Sequence, residues 1–196
     1  MKNEILNELQ KSQSLITAII NDNLLQENIE EVVNRMIQCF ENGNKVLFCG
    51  NGGSAADSQH LAAEFVARFN FDRPALNAIA LTVDTSALTA IGNDYGYDYI
   101  FSRQVEALGV AGDILVGFST SGRSKNVLAA FEAAKKQNIT TIGMLGQDGR
   151  DIGNIADISL NMPSSETPKI QEGHIISGHI ICALVEEKMF GDKYPT

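Results

Sequence analysis

His60 and Glu64 lie four residues apart in a stretch with helical spacing, so an imidazole and a carboxylate share one helix face. Such a pair can ligate a divalent metal or set a base beside a group that orients it, and it is also what an ordinary exposed ion pair looks like. The other two of the three histidines, His174 and His179, fall in a later helical stretch with Gln171 and Glu172. At about 100° per residue, Glu172 sits about 20° from His179 around the axis, Gln171 about 80° and His174 about 140°. His174 and His179 therefore do not serve one centre, His174 reads as a packing residue, and helix geometry alone pairs His179 with Glu172.

Two loops have the composition of a phosphate site. Gly50-Asn51-Gly52-Gly53-Ser54-Ala55 matches a GxGxxA turn, but a dinucleotide fold wants an acid about 20 residues on, and the next strand ends near Asp84. No Gly-Lys-Ser/Thr follows, which excludes a P-loop. What remains is a glycine turn entering a helix, with Ser54 as the expected cap and Asp57 in capping-box position. The second loop, 119–124, places Ser119, Thr120, Ser121 and Ser124 before another helix. Hydroxyls and backbone N–H groups at a helix start can hold a phosphate without lysine.

These residues need elements to carry them. Apolar or β-branched runs at 45–49, 77–82, 113–118, 139–145 and 156–160 alternate with helical patterns, which predicts a parallel sheet with crossover helices. Ligands of such sheets bind beyond the carboxyl ends of the strands, where both loops fall, in a site rich in glycine, hydroxyls and amides and poor in cations. Residues 1–42 read as two amphipathic helices, with Ile5, Leu9, Ser12, Ile16 and Ile19/Ile20 spaced along the first and Ile29, Val33, Met36/Ile37 and Phe40 along the second. They suit packing or subunit contact. The last helix is expected over about 168–190, and no linker or repeat divides the chain.

The 196 residues suffice for one domain, and 44% hydrophobic with 20% charged residues excludes a largely disordered chain. A net charge of -9 argues against nucleic acid and against an anionic membrane surface. Cys39, Cys49 and Cys182 lack ligand-like or disulfide-framework spacing and read as reduced core residues of a cytoplasmic protein. The acidic start Met1-Lys2-Asn3-Glu4 does not resemble a signal peptide.

Together the Asn51-Gly52-Gly53-Ser54 turn, His60-x-x-x-Glu64, Gly92-Asn93-Asp94, Ser119-Thr120-Ser121-Gly122-x-Ser124 and Ile170-Gln171-Glu172-x-His174 leading to His179 resemble the sugar isomerase (SIS) domain family. Within that family they look like its aldose–ketose isomerases of seven-carbon sugar phosphates. The resemblance implies a flavodoxin-like three-layer α/β sandwich with a five-stranded parallel sheet, as one domain over 1–196, with 1–42 a helical extension and 43–196 the α/β core. It implies a homotetramer that converts sedoheptulose 7-phosphate to D-glycero-D-manno-heptose 7-phosphate, a precursor of lipopolysaccharide. It further implies substrate contacts at Asn51, Gly52, Gly53, Glu64, Asn93, Asp94, Ser119, Thr120, Ser121, Ser124 and Gln171. In the same likeness Glu64 is the base, His179 the acid, and one zinc per subunit is held by His60, Glu64, Gln171 and His179. Relatives that bind a replication initiator without catalysis, and isomerases of other sugar phosphates, remain alternatives. Ser54 and Glu64 are ten residues, about 15 Å of helix, apart, whereas an extended heptose phosphate is about 10 Å long. A composite site at a subunit interface is therefore expected.

Overall fold

The structure, a computed structural model, describes residues 1–192; the last four residues of the expected 43–196 core lie outside the described residues. The five expected strands are all present: β1 (Val46–Cys49), β2 (Ala78–Ala80), β3 (Ile114–Ser119), β4 (Thr140–Leu145) and β5 (Ile158–Asn161). Every pairing is parallel, in the order β2-β1-β3-β4-β5, which is the flavodoxin-like arrangement with its switch point between β1 and β3. Strands buried on both faces explain why they read as short apolar runs and not as alternating patterns.

Two cores result, one on each face of the sheet. On one face lie α1 (Lys2–Ile20), α2 (Asn23–Glu41), α3 (Gly53–Val66) and the long α8 (Thr167–Phe190), over Val46, Phe48, Val116 and Met144. On the other lie α4 (Thr85–Asp94), a 3-10 turn at Tyr97–Tyr99, α5 (Ser102–Leu108), α6 (Lys125–Lys136) and α7 (Arg150–Gly153), around Leu47, Leu115 and Phe131. α2 starts where the Asp22 carboxylate accepts from Leu25 N at 2.9 Å. Its expected stripe is buried at Ile29, Val33 and Met36. α1 differs: only Leu15 and Ile19 are buried, while Ile5, Leu9, Ile16 and Ile20, expected to pack, stand exposed. In a single copy, α1 finds a partner for only one edge of its apolar face.

The two ends of the sheet are built for different purposes. At the amino end, buried Asp113 takes hydrogen bonds from Lys45 Nζ at 2.7 Å, Lys45 N at 3.0 Å, Val110 N at 2.8 Å and Asn44 Nδ2 at 3.2 Å, which fastens the starts of β1 and β3. Burial acts to raise its pKa, and the bonds from Lys45, Val110 and Asn44 overcome that and hold it below the ordinary value. The carboxyl end carries the glycine and hydroxyl loops. Cys39, Cys49 and Cys182 are all free and buried, and burial raises each thiol's pKa.

Candidate active site

The turn after β1 is made by Gly52, whose φ of +58° lies in the left-handed region that favours glycine. Gly52, not Ser54, is the cap of α3, and no side-chain cap is formed. Ser54 is already one residue inside the helix, where its carbonyl accepts from Ser58 Oγ at 2.8 Å. Asp57 closes no capping box: its Oδ2 is buried without a hydrogen-bond partner among the described residues. Burial, opposed by the nearby His60, raises its pKa.

Asn51 is gripped from two sides. Its Oδ1 accepts from Asn126 Nδ2 at 2.8 Å and from Tyr97 Oη at 3.0 Å, and its Nδ2 donates to Asn126 Oδ1 at 2.9 Å. One N–H of the Asn51 amide is left for a ligand. Neither Asn126, in the first turn of α6, nor Tyr97 was singled out from the sequence; each lies a few residues beyond a motif that was, Ser124 and Asn93-Asp94. Asn93 and Asp94 end α4 on the exposed surface, with Asn93 Nδ2 donating to Asp94 Oδ1 at 2.7 Å.

The four hydroxyls of the second loop divide their labour. Ser119 and Ser124 brace each other at 2.8 Å between the oxygens, while Thr120 and Ser121 line a cavity of about 220 Å³. Its walls also include Arg123, Gln147, Arg150 and Ser164. The expectation of a cation-poor site is therefore corrected: two arginines reach this cavity. Arg150 does so from an unusual backbone, with φ of +49°, and pairs with Asp148 at 2.7 Å. The 119–124 loop is pressed at Gly122 against the loop that follows β4, where a Cβ would lie 2.3 Å from Gly149 O.

Beneath the loops, α3 and α8 run parallel. Gly53 faces Gln171, Leu61 faces Gly178, and His60 faces His179. A Cβ at Gly178 would lie 2.6 Å from Leu61 Cδ1, so glycine allows this approach, and the neighbouring His179 meets His60 with 2.8 Å between Nε2 atoms. One ring must donate and the other accept. Glu64 Oε1 stands 3.4 Å from His60 Nε2, and the Phe69 ring packs 5.5 Å from that of His179.

Glu172, which helix geometry alone had paired with His179, turns away to bind Lys169 at 2.7 Å. Gln171 lies against Gly53, eight residues or about 12 Å of helix above His179. One chain thus joins His60, Glu64 and His179 but not Gln171. His174 packs as expected: it is fully buried, edge-on to Phe118, and donates through Nε2 to Leu145 O at 3.1 Å. Burial lowers its pKa to about 4.

An apposed carboxylate and imidazole, with a separate anion cradle, suit proton transfer on a phosphorylated substrate. Comparison with known proteins agrees. The SIS domain family model matches residues 9–146. The phosphoheptose isomerase of Clostridium acetobutylicum is 54% identical over 193 residues, 98% of each chain. The phosphoheptose isomerase of Burkholderia pseudomallei (strain 1710b) is 53% identical over 189 residues, 96% of each.

The chain belongs to the phosphoheptose isomerase family of SIS domain proteins.

Its fold is that of the family too. The solved phosphoheptose isomerase of Neisseria gonorrhoeae superimposes with a TM-score of 0.89 at 43% identity, covering 95% of this chain and 98% of that one.

Proposed function

We propose that this chain interconverts sedoheptulose 7-phosphate and D-glycero-D-manno-heptose 7-phosphate through an enediol. The observation that carries this reading is the cluster of Glu64, His60 and His179, in a chain more than half identical to phosphoheptose isomerases. Glu64 takes the proton from C1 of the ketose while the C2 oxygen receives one from His179. The C1 hydroxyl then gives up its proton as C2 is reprotonated, which moves the carbonyl to C1. Thr120 and Ser121 hold the phosphate with the backbone of their loop, Arg123 and Arg150 add charge, and Ser119 and Ser124 keep that loop in shape. Asn51, Gly52, Gly53, Asn93, Asp94 and Gln171 serve the sugar. The rival readings, a noncatalytic binding protein or an isomerase of another sugar phosphate, gain no support from these relatives.

Two imidazoles and a carboxylate are donors that suit zinc. No group of three or more His, Cys, Asp or Glu is poised to hold a metal among the described residues, and the imidazole nitrogens are 2.8 Å apart. Two zinc bonds of ordinary length at a tetrahedral angle would need about 3.3 Å, so a shift of about half an ångström adapts the pair. His60, Glu64 and His179 would then hold the ion, which would supply Lewis acidity toward the sugar oxygens. Gln171 can complete the set only from another copy or after a rearrangement of α8.

Glu64 lies eleven residues, about 16 Å of helix, from Gly53 in the same chain. That supports a composite site, with the loops of one copy facing the acid–base pair of another in a homotetramer. The exposed α1 residues Ile5, Leu9, Ile16 and Ile20, with Ile180 and Leu184 of α8, offer the apolar contact surface. We place the enzyme in the cytoplasm, supplying lipopolysaccharide precursor; no helix among the described residues is long and apolar enough to cross a membrane. The purified chain, given sedoheptulose 7-phosphate and followed by NMR, should form the aldose, lose activity to a chelator and regain it with zinc. No turnover under any of these conditions would overturn the reading.

A further inference from the structure

Beyond the end of α3, the chain turns through residues 67–73 and returns to β2 past a buried ion pair. The Arg73 and Glu186 side chains are each 1% exposed, with Nε and Oε1 3.1 Å apart. A buried pair is weak evidence for stability, because desolvating both ions offsets their attraction. Its geometry here is specific. Glu186 Oε1 also accepts from Phe69 N at 2.8 Å, and its Oε2 from Asn70 N at 2.5 Å. Arg73 Nη1 donates to Phe65 O at 2.6 Å, Ala67 O at 3.3 Å and Pro74 O at 3.1 Å, and its Nη2 donates to Glu64 O at 2.8 Å. The guanidinium thereby takes up two carbonyls of the last turn of α3, those of Glu64 and Phe65, and that of Ala67 just beyond it.

Both proton-transfer residues touch this arrangement. Glu64 does so through its own carbonyl, which fixes the helix position from which its carboxylate projects. His179 does so through Phe69, whose ring lies 5.5 Å from the imidazole and whose N–H is the one held by Glu186. Glu186 follows His179 by seven residues, two turns on and about 20° away, so one stripe of α8 carries the imidazole and the anchor of its aromatic neighbour.

We propose that Phe69, Arg73 and Glu186 form a clasp that positions Glu64 and His179 relative to each other. The three are positioning residues and do not touch the sugar. This inference rests on the isomerase reading. Small misplacements of reacting groups can lower rates by orders of magnitude while leaving the binding loops intact.

Phe69→Leu is the cleanest test, since it removes the ring and leaves every clasp hydrogen bond in place. It should lower kcat about tenfold with KM within about twofold, and Phe69→Tyr should restore the rate. Glu186→Gln should show the same split if it folds, and Phe69→Leu decides the matter if it does not. In protein with 15N-labelled histidine, the His179 ring resonances should move in Phe69→Leu and return in Phe69→Tyr. Wild-type kcat in Phe69→Leu overturns the inference, as do unmoved His179 resonances or a loss of rate that follows only a loss of folded protein. The wild-type chain runs in the same assay. If it fails to turn over, the isomerase reading falls and takes the clasp with it; if it turns over and Phe69→Leu matches it, the clasp alone falls.

Discussion

The loops at the carboxyl edge of the sheet and the shared face of α3 and α8 both gather polar groups, but they do so by different means. The loops rely on backbone: Gly52 and Gly122 take conformations that side chains disfavour, and Gly122 presses onto Gly149. The helix face relies on side chains brought from residues 119 apart, His60 and His179, by the approach that Gly178 permits. A cradle of the first kind is shaped by backbone conformation within one stretch of chain. An acid–base pair of the second kind depends on the register of two helices, and an error in packing displaces it.

The largest effect should follow a change to the helix face. Glu64→Gln should lower turnover about a thousandfold while KM stays within about threefold, because the loops proposed to bind the phosphate are untouched. Mixed oligomers of Glu64→Gln with a Ser121→Ala variant selected as inactive should recover part of the wild-type rate. No recovery in verified mixed oligomers would show that each copy carries a complete site.

Next comes the support under the loops. His174 has a pKa lowered from 6.5 to about 4 by burial, so it is held neutral in the fold and donates to Leu145 O, just before Gly146 of the cavity. Between those values the unfolded chain binds more protons than the folded one, and stability is lost as pH falls from 6.5 toward 4. The loss should reach about 3 kcal/mol at the acid end. The Asp113 anchor at the other end of the sheet, with its pKa held below 3.8, should give way only in stronger acid. Denaturant midpoints at pH 7 and 4.5 check this; a His174→Gln variant should show a flatter profile, and an equal slope in both proteins would refute it.

The smallest effect expected is that of Gly122→Ala, with a positive φ and a Cβ 2.3 Å from Gly149 O. It should destabilise by about 2 kcal/mol and raise KM more than it lowers kcat, the reverse of the split expected for Glu64→Gln. A matching fall in kcat alone would mean that loop and helix face are not separate devices.

Much of this was legible in the sequence. The strands and the two loops announce themselves through short apolar runs, glycines and clustered hydroxyls, which are local signals, and the parallel direction of the strands through their alternation with helical patterns. Other features have no local signal. Asn126 and Tyr97 look ordinary until Asn51 is seen between them. The capping role expected of Ser54 failed because a glycine one step outside the helix took the turn. The preference for Glu172 failed because a shared angle around α8 leaves Glu172 seven residues, about 10 Å, along the axis from His179, and Lys169 claims that carboxylate. The α1 stripe was read correctly as apolar, but within one chain only Leu15 and Ile19 of that helix are buried.

The sequence by itself therefore determined the fold class, through the alternation of strand and helix patterns along the chain, and the position of the glycine and hydroxyl loops and the sharing of one helix face by His60 and Glu64, through spacing within a dozen residues. Tertiary structure decided which imidazole meets that pair, which amide holds Asn51, and how Arg73 and Glu186 tie the end of α3 to α8. Those contacts join residues 46 to 119 positions apart, and helix spacing fixes only a face, whereas side-chain volume at the packed surface fixes what that face meets.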